Sequence, residues 1–187
     1  MISYLLAGPA LEPVTLAEAK AFLRVDDGAE DGLIGTLITA ARLHIENTTD
    51  RALIAQSWRV VLDCWPAGRM VKLPVAPLMA LTAVTVYDAD GGTHGIALSQ
   101  FQSEAAPARL LLPEAIEGMV PIRERQGIEI DYVAGFGIGP EDVPADLRQA
   151  LLTLVAHWFE HRDLAAAEAP APGAYERLVA PYRSVRL

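Results

Sequence analysis

The chain has 187 residues, with 15 Lys and Arg against 24 Asp and Glu, for a formal net charge of −9. That length suits one domain, or one domain with an insertion, and a real core. The acidic balance excludes tight binding to a nucleic-acid backbone, which takes a surplus of Lys and Arg. No run approaches the ~18 apolar residues of a spanning helix, and Cys64, alone of its kind, excludes an internal disulfide or a thiolate metal cluster.

The first stretch, MISYLLAGPALEP, has no basic residues and is interrupted by Pro9 and Pro13, so it does not read as a signal peptide. The sequon Asn47-Thr48-Thr49 is accordingly expected to carry no glycan. Thr15-Leu16-Ala17-Glu18 is a capping-box pattern that opens a helix near 15–24, and Asp26-Asp27-Gly28 ends it. A longer helix near 30–48 follows, with Leu33, Leu37, Ala40, Ala41, His44 and Ile45 near one face and Ile34 and Ile38 beside them.

From Ser57 the period changes from helical to alternating. Trp58, Val60 and Leu62 alternate with Arg59, Val61 and Asp63, and short strands are expected at Met70 to Leu73, Leu81 to Tyr87, Leu110 to Leu112 and Ile128 to Val133. Asp88-Ala89-Asp90-Gly91-Gly92 reads as a hairpin turn, with Ile96 to Leu98 as the returning strand.

The most strongly patterned helix is near 144–163, where Leu147, Leu151, Leu154, Val155 and Trp158 share one stripe. Pro144 suits a first turn and Asp146 complements the positive end of the helix dipole. This stripe and the one near 30–48 are natural partners. The expected fold is therefore α+β: a helical bundle from 1–56 and 140–163, carrying a β-rich, mostly antiparallel insertion at 57–139. An Ala/Pro linker at 164–173 leads to an extended C-terminal arm at 174–187, AYERLVAPYRSVRL, whose last eleven residues have no acidic side chain. A basic arm with apolar residues fits docking on an acidic partner. High apolar content, 52% against 21% charged, points to self-association.

Three motifs could carry chemistry. His157-Trp158-Phe159-Glu160-His161 matches H-x-x-E-H, in which two imidazoles four apart share a zinc ion and the carboxylate takes a proton from bound water. A third ligand is wanted downstream, where only Glu168 and Glu176 are available, so helix-shoulder histidines are the better reading. Gly135-Phe136-Gly137-Ile138-Gly139 lacks the G-x-G-x-x-G spacing of a dinucleotide loop and any P-loop lysine. Asp88 and Asp90 lack the spaced ligands of a calcium loop. No cofactor or metal is expected, and Trp58, Trp65 and Trp158 read as packing residues.

In order and spacing the chain resembles the head–tail connector, or adaptor, proteins of tailed bacteriophages and phage-like gene transfer agents. The resemblance rests on Leu16-Ala17-Glu18-Ala19-Lys20 with Leu23-Arg24-Val25-Asp26, the helix from Leu33-Ile34 to Thr48, and Arg51-Ala52-Leu53-Ile54 with Gln56 and Trp58. It continues through Leu73-Pro74 with Pro77-Leu78, Val84 to Gly91, Tyr132 to Gly137, Val143-Pro144 through Glu160, and Leu178-Val179-Ala180-Pro181-Tyr182-Arg183.

The resemblance implies a structural, non-enzymatic virion protein, assembled in the bacterial cytoplasm and placed at the head–tail junction as a dodecameric ring. The ring would sit beneath the portal protein, meet a tail-side stopper or tail terminator protein, and let DNA cross its lumen without sequence-specific binding and with no membrane involved. Carried over to this chain, the portal-binding residues are Tyr182, Arg183, Val185, Arg186 and Leu187, with Arg177 and Leu178 steering the approach. Removal of 174–187 is then expected to abolish portal binding with the fold intact. Two alternatives are a zinc-dependent hydrolase using His157, Glu160 and His161, and a monomeric module whose β region binds a ligand.

Overall fold

The computed structural model describes residues 1–114, 116, 121–161 and 171–183. The fold is α+β, and the chain divides into two compact units, one of residues 1–9 and 55–136 and the other of 10–54 and 137–187.

The first unit is built of β-strands. β1 (Ile2–Ala7), β2 (Gln56–Leu62), β4 (Leu78–Tyr87), β5 (Thr93–Gly95) and β8 (Ile128–Ala134) form an antiparallel sheet in the order β1-β2-β8-β4-β5. β3 (Met70–Lys72), β6 (Gln102–Glu104) and β7 (Arg109–Leu111) form a second sheet in the order β3-β7-β6. β8 shows why alternation predicts a half-buried strand: Ile128, Ile130, Tyr132 and Ala134 are buried while Glu129, Asp131 and Val133 are not. The Tyr132 hydroxyl accepts the Val75 N–H at 3.3 Å, which satisfies a polar group inside the core, and burial pushes its pKa up to about 12.

On the opposite face the charges cancel along a cross-strand ladder. Arg59 of β2 grips Asp131 of β8 through two bonds of 2.6 and 2.7 Å and reaches Glu129 at 2.8 Å. The Tyr87 hydroxyl of β4 donates to Glu129 at 3.0 Å, and the Arg123 guanidinium lies over the Tyr87 ring.

Helices make the second unit: α1 (Leu16–Leu23), α2 (Asp31–Thr49), α3 (Ala145–Glu160) and α4 (Gly173–Val179). The capping box at Thr15 is formed in both directions, with Glu18 N–H donating to Thr15 Oγ1 at 3.2 Å and Thr15 N–H to Glu18 Oε2 at 2.8 Å. α1 packs on α2 and α3, and α2 on α3, as their stripes require. On α3 the stripe is as read, with Leu147, Leu151, Leu154 and Val155 buried together with Ala150, and Trp158 half-buried at its edge. Arg42 is buried on α2 with its guanidinium shared by Glu12 at 2.8 Å and Glu46 at 2.9 Å, so its charge is fully paired.

Four expectations are corrected. Residues 1–9, assigned to the helical core, pair as β1 with β2, so the β-rich part takes its edge strand from ahead of the helices and is not one uninterrupted insertion. The buried face of α2 runs through Ile34, Ile38, Ala41 and Ile45, leaving Leu37 half-buried and Leu33 38% exposed. A stripe of branched side chains one position along wins, because Leu33 and Ile34 are adjacent and only one of them can face the core.

The strand returning after the hairpin turn is Thr93–Gly95, and Ile96 already closes onto the Val84 carbonyl. The turn is tighter than expected because Gly91 takes φ +86° and Asp88 gathers the Asp90 and Gly92 N–H groups. Last, the C-terminal segment is helical over α4 and not extended. Residues 164–170 of the expected linker lie outside the described residues. No described helix is long and apolar enough to cross a membrane.

Candidate functional site

The candidate partner-binding segment begins at Pro172, the N-cap of α4, where the backbone is still extended (ψ 137°) before the helix starts. Tyr175 and Val179, four residues apart, fall on one face of α4, and both are fully buried where α4 packs on α3. The Tyr175 ring lies 5.5 Å from the His44 ring of α2, which meets Trp158 of α3 edge-on at 5.8 Å. Three helices are thus pinned by one aromatic group.

A turn over Ala180–Tyr182 then brings Tyr182 back to the body of the unit. Its hydroxyl is 2.9 Å from each carboxylate oxygen of Asp146, and its carbonyl accepts from Arg51 Nε at 3.0 Å while the Arg51 guanidinium stands over the ring. Burial and then the Asp146 carboxylate raise the Tyr182 pKa, so at neutral pH the phenol keeps the proton it donates.

What the segment turns outward is basic. Arg177 and Arg183 are exposed and Leu178 is half-buried, and Arg183 pairs with Glu176 at 2.6 Å in a solvent-exposed bridge that a stronger acidic partner can replace at little cost. Val185, Arg186 and Leu187 lie outside the described residues.

Sequence reasoning missed Asp146 and Arg51 as the anchors of Tyr182. They stand 36 and 131 residues away from it, and no local pattern links them. Its local sequence marks Asp146 only as a dipole partner at the start of α3. The segment is bound to its own subunit through Tyr175, Val179 and Tyr182, which limits its partner-facing side chains to those on the other face of α4 and beyond.

The three motifs make local structural contacts, and Glu168, one of the two candidate third zinc ligands, lies outside the described residues. The His157 and His161 ring centroids are 4.5 Å apart with the rings tilted by 40°, and His161 Nδ1 lies 2.8 Å from the His157 carbonyl, where the ring caps the end of α3. Among the described residues no three His, Cys, Asp or Glu side chains converge on a metal position. In the glycine-rich turn, the Asp142 carboxylate packs against Gly137 so closely that a Cβ there would collide with it, and it accepts the Gly139 N–H at 3.0 Å. The Gly139 amide is therefore already taken by a carboxylate of the same turn. At the other turn, the Asp88 carboxylate is 2.7 Å from His94 Nε2, and that bond, with the Gly92 and Asp90 amides, holds its pKa below the ordinary carboxylate range.

Residues 13–88 match the model of the phage gp6-like head-tail connector proteins. Over its full length the chain is similar to a protein in the neck of an empty gene transfer agent particle computed with C6 symmetry, with 32% identity, TM-score 0.82 and coverage of 100% of this chain and 97% of that one. The same coverage holds for a chain of the native gene transfer agent virion, at 31% identity and TM-score 0.83. It holds again for a chain in the neck of the native particle computed with C12 symmetry, at 30% and 0.75. Among curated proteins none matches it.

Agreement at this level over the whole chain sets it among the structural proteins of phage-like particles. It belongs to the phage head–tail connector family, and its work there is structural.

Proposed function

We propose that the chain is one subunit of an oligomeric ring, dodecameric when complete, in the neck of a gene-transfer-agent or phage particle, beneath the portal protein and continuing the DNA channel toward the tail. The observation that carries this is the end-to-end similarity to neck chains of particles computed with C6 and C12 symmetry. The acidic balance of −9 fits a wall that DNA slides past, since a surface without excess cations releases no counterions on contact with phosphates.

In this reading the C-terminal segment is the portal-facing part. Tyr175, Val179 and Tyr182 fix its base to the subunit, Leu178 shields that base, and Arg177 and Arg183 meet acidic side chains of the portal, with Val185, Arg186 and Leu187 continuing the contact. Arginine suits the task because its fork grips carboxylates in pairs. A tail-side stopper or terminator protein meets the other face of the ring. Because Tyr175 and Val179 are core residues, deletion of 174–187 is now expected to unfold part of the helical unit as well, so a cleaner variant is Arg177→Glu with Arg183→Glu.

The test is the mass of the purified protein, alone and mixed with the portal protein of its own particle, by light scattering behind a sizing column. Co-migration as a defined ring complex is expected, weakened at least about tenfold by the double charge reversal. A 20.1 kDa species that ignores the portal overturns the reading.

A further inference from the structure

The first strand of the larger sheet is unusual for an edge. Natural sheets blunt their edges with Lys, Pro, bulges or inward charges, because an open row of backbone N–H and C=O groups recruits any strand that meets it. β1 has none of the charged or proline devices: no side chain from Met1 to Leu6 is charged, and Met1, Ile2, Tyr4, Leu5 and Leu6 are each at least 42% exposed. The only irregularity is a register shift between Leu5 and Ala7 at the end of the strand. At the opposite end of the sheet, β5 is a three-residue edge without a large apolar side chain, tied down through the His94–Asp88 bond. The two ends are therefore different in kind, and only one is built to stick.

Resting on the ring reading above, we infer that β1 is the strand through which each connector subunit joins the next copy in the ring. A second copy fits better than the portal or a tail-side protein for two reasons. The strand has no charged side chain to complement a charged partner, whereas the basic face of α4 does. An apolar stretch on an otherwise acidic chain is also what a permanent contact between identical subunits requires, since such interfaces resemble a core cut in half.

Symmetry restricts the geometry further. Antiparallel pairing of β1 with the neighbour's β1 is a two-fold contact that closes at a dimer, while a ring needs one patch to meet a different patch on the next copy. β1 therefore inserts against a surface of its neighbour other than β1.

The experiment uses the full-length chain with its cognate portal protein. Ile2→Lys combined with Leu6→Lys adds charge at two exposed positions, and Ile2→Val with Leu6→Met serves as the apolar control. The lysine pair is expected to raise the concentration for half-assembly of the ring on the portal about tenfold or more, leaving the thermal melt of the free subunit in place, while the control assembles as the parent does. A lysine variant that fills the ring at the parental concentration overturns the inference.

A photo-cross-linking residue at position 6 of the otherwise unchanged chain gives an independent readout. Cross-links to a second copy at sites outside β1 are expected; cross-links from β1 to β1, or to the portal, overturn it. Should the parent chain itself form no ring with the portal, it is the ring reading that fails, which the unmodified arm of the same experiment reveals.

Discussion

At the level of single residues, the side chains that hold the molecule together are those whose hydrogen-bonding groups are spent inside their own unit. Thr15 and Glu18 satisfy each other's orphan groups at the start of α1, and Glu18 also receives Arg148 from α3. Thr15→Ala is expected to cost about 1 kcal/mol in a urea melt. The Glu18 pKa is lowered, first by the Thr15 backbone N–H, then by the Thr15 hydroxyl, with Arg148 adding to the effect. A depressed folded pKa means that this contribution is intact above the ordinary glutamate value and is lost as pH falls through the lower folded one. The difference between parent and Thr15→Ala should therefore narrow on acidification, and a gap that widens would contradict the assignment. Tyr182→Phe removes the donor to Asp146 and is expected to loosen 173–183 by about 1 kcal/mol, read as faster amide exchange confined to α4 and the turn after it.

Among the elements, the α2–α3 pair is where the sequence was most informative and also where it misled. The α3 stripe was legible because Leu147, Leu151, Leu154 and Val155 recur at helical spacing with polar residues opposite. On α2, apolar residues lie side by side at Leu33-Ile34 and Leu37-Ile38, so periodicity allowed two neighbouring faces and packing on α3 chose Ile34 and Ile38. Leu154→Ala is expected to destabilise by about 3 kcal/mol in a denaturant melt, through lost burial and the cavity left behind. Leu33→Ala should move the isolated subunit by less than about 0.5 kcal/mol, as exposed positions do. Equal effects of the two would return Leu33 to the core. Locally β1 shows only an apolar stretch without the features of a signal peptide, since nothing near it announces a partner strand 50 to 59 residues away in sequence.

For the whole molecule, charge and surface determine how copies and partners meet. With −9 overall, the purified protein is expected to leave the anisotropy of a labelled DNA duplex unchanged even at ~50 mM salt, where phosphate contacts are strongest. Binding that weakens steeply with salt would point instead to a DNA-gripping surface. The outward Arg177 and Arg183 stand against this background as a local exception, which is why their reversal is expected to affect portal docking and not folding.

Composition, helical periodicity and capping chemistry were enough to establish an α+β chain, its three longer helices and its antiparallel β region, because these features are written in neighbouring residues, while the connector family came from the resemblance of segments spread along the whole chain. The tertiary structure alone decided that the first strand leaves the helical part to edge the sheet, that Ile34 and not Leu33 faces the core, and that the C-terminal segment is a docked helix held by Tyr175, Val179 and Tyr182. Each of these depends on contacts between residues far apart in sequence, where the free energy lies in burial against a partner that no local spacing identifies.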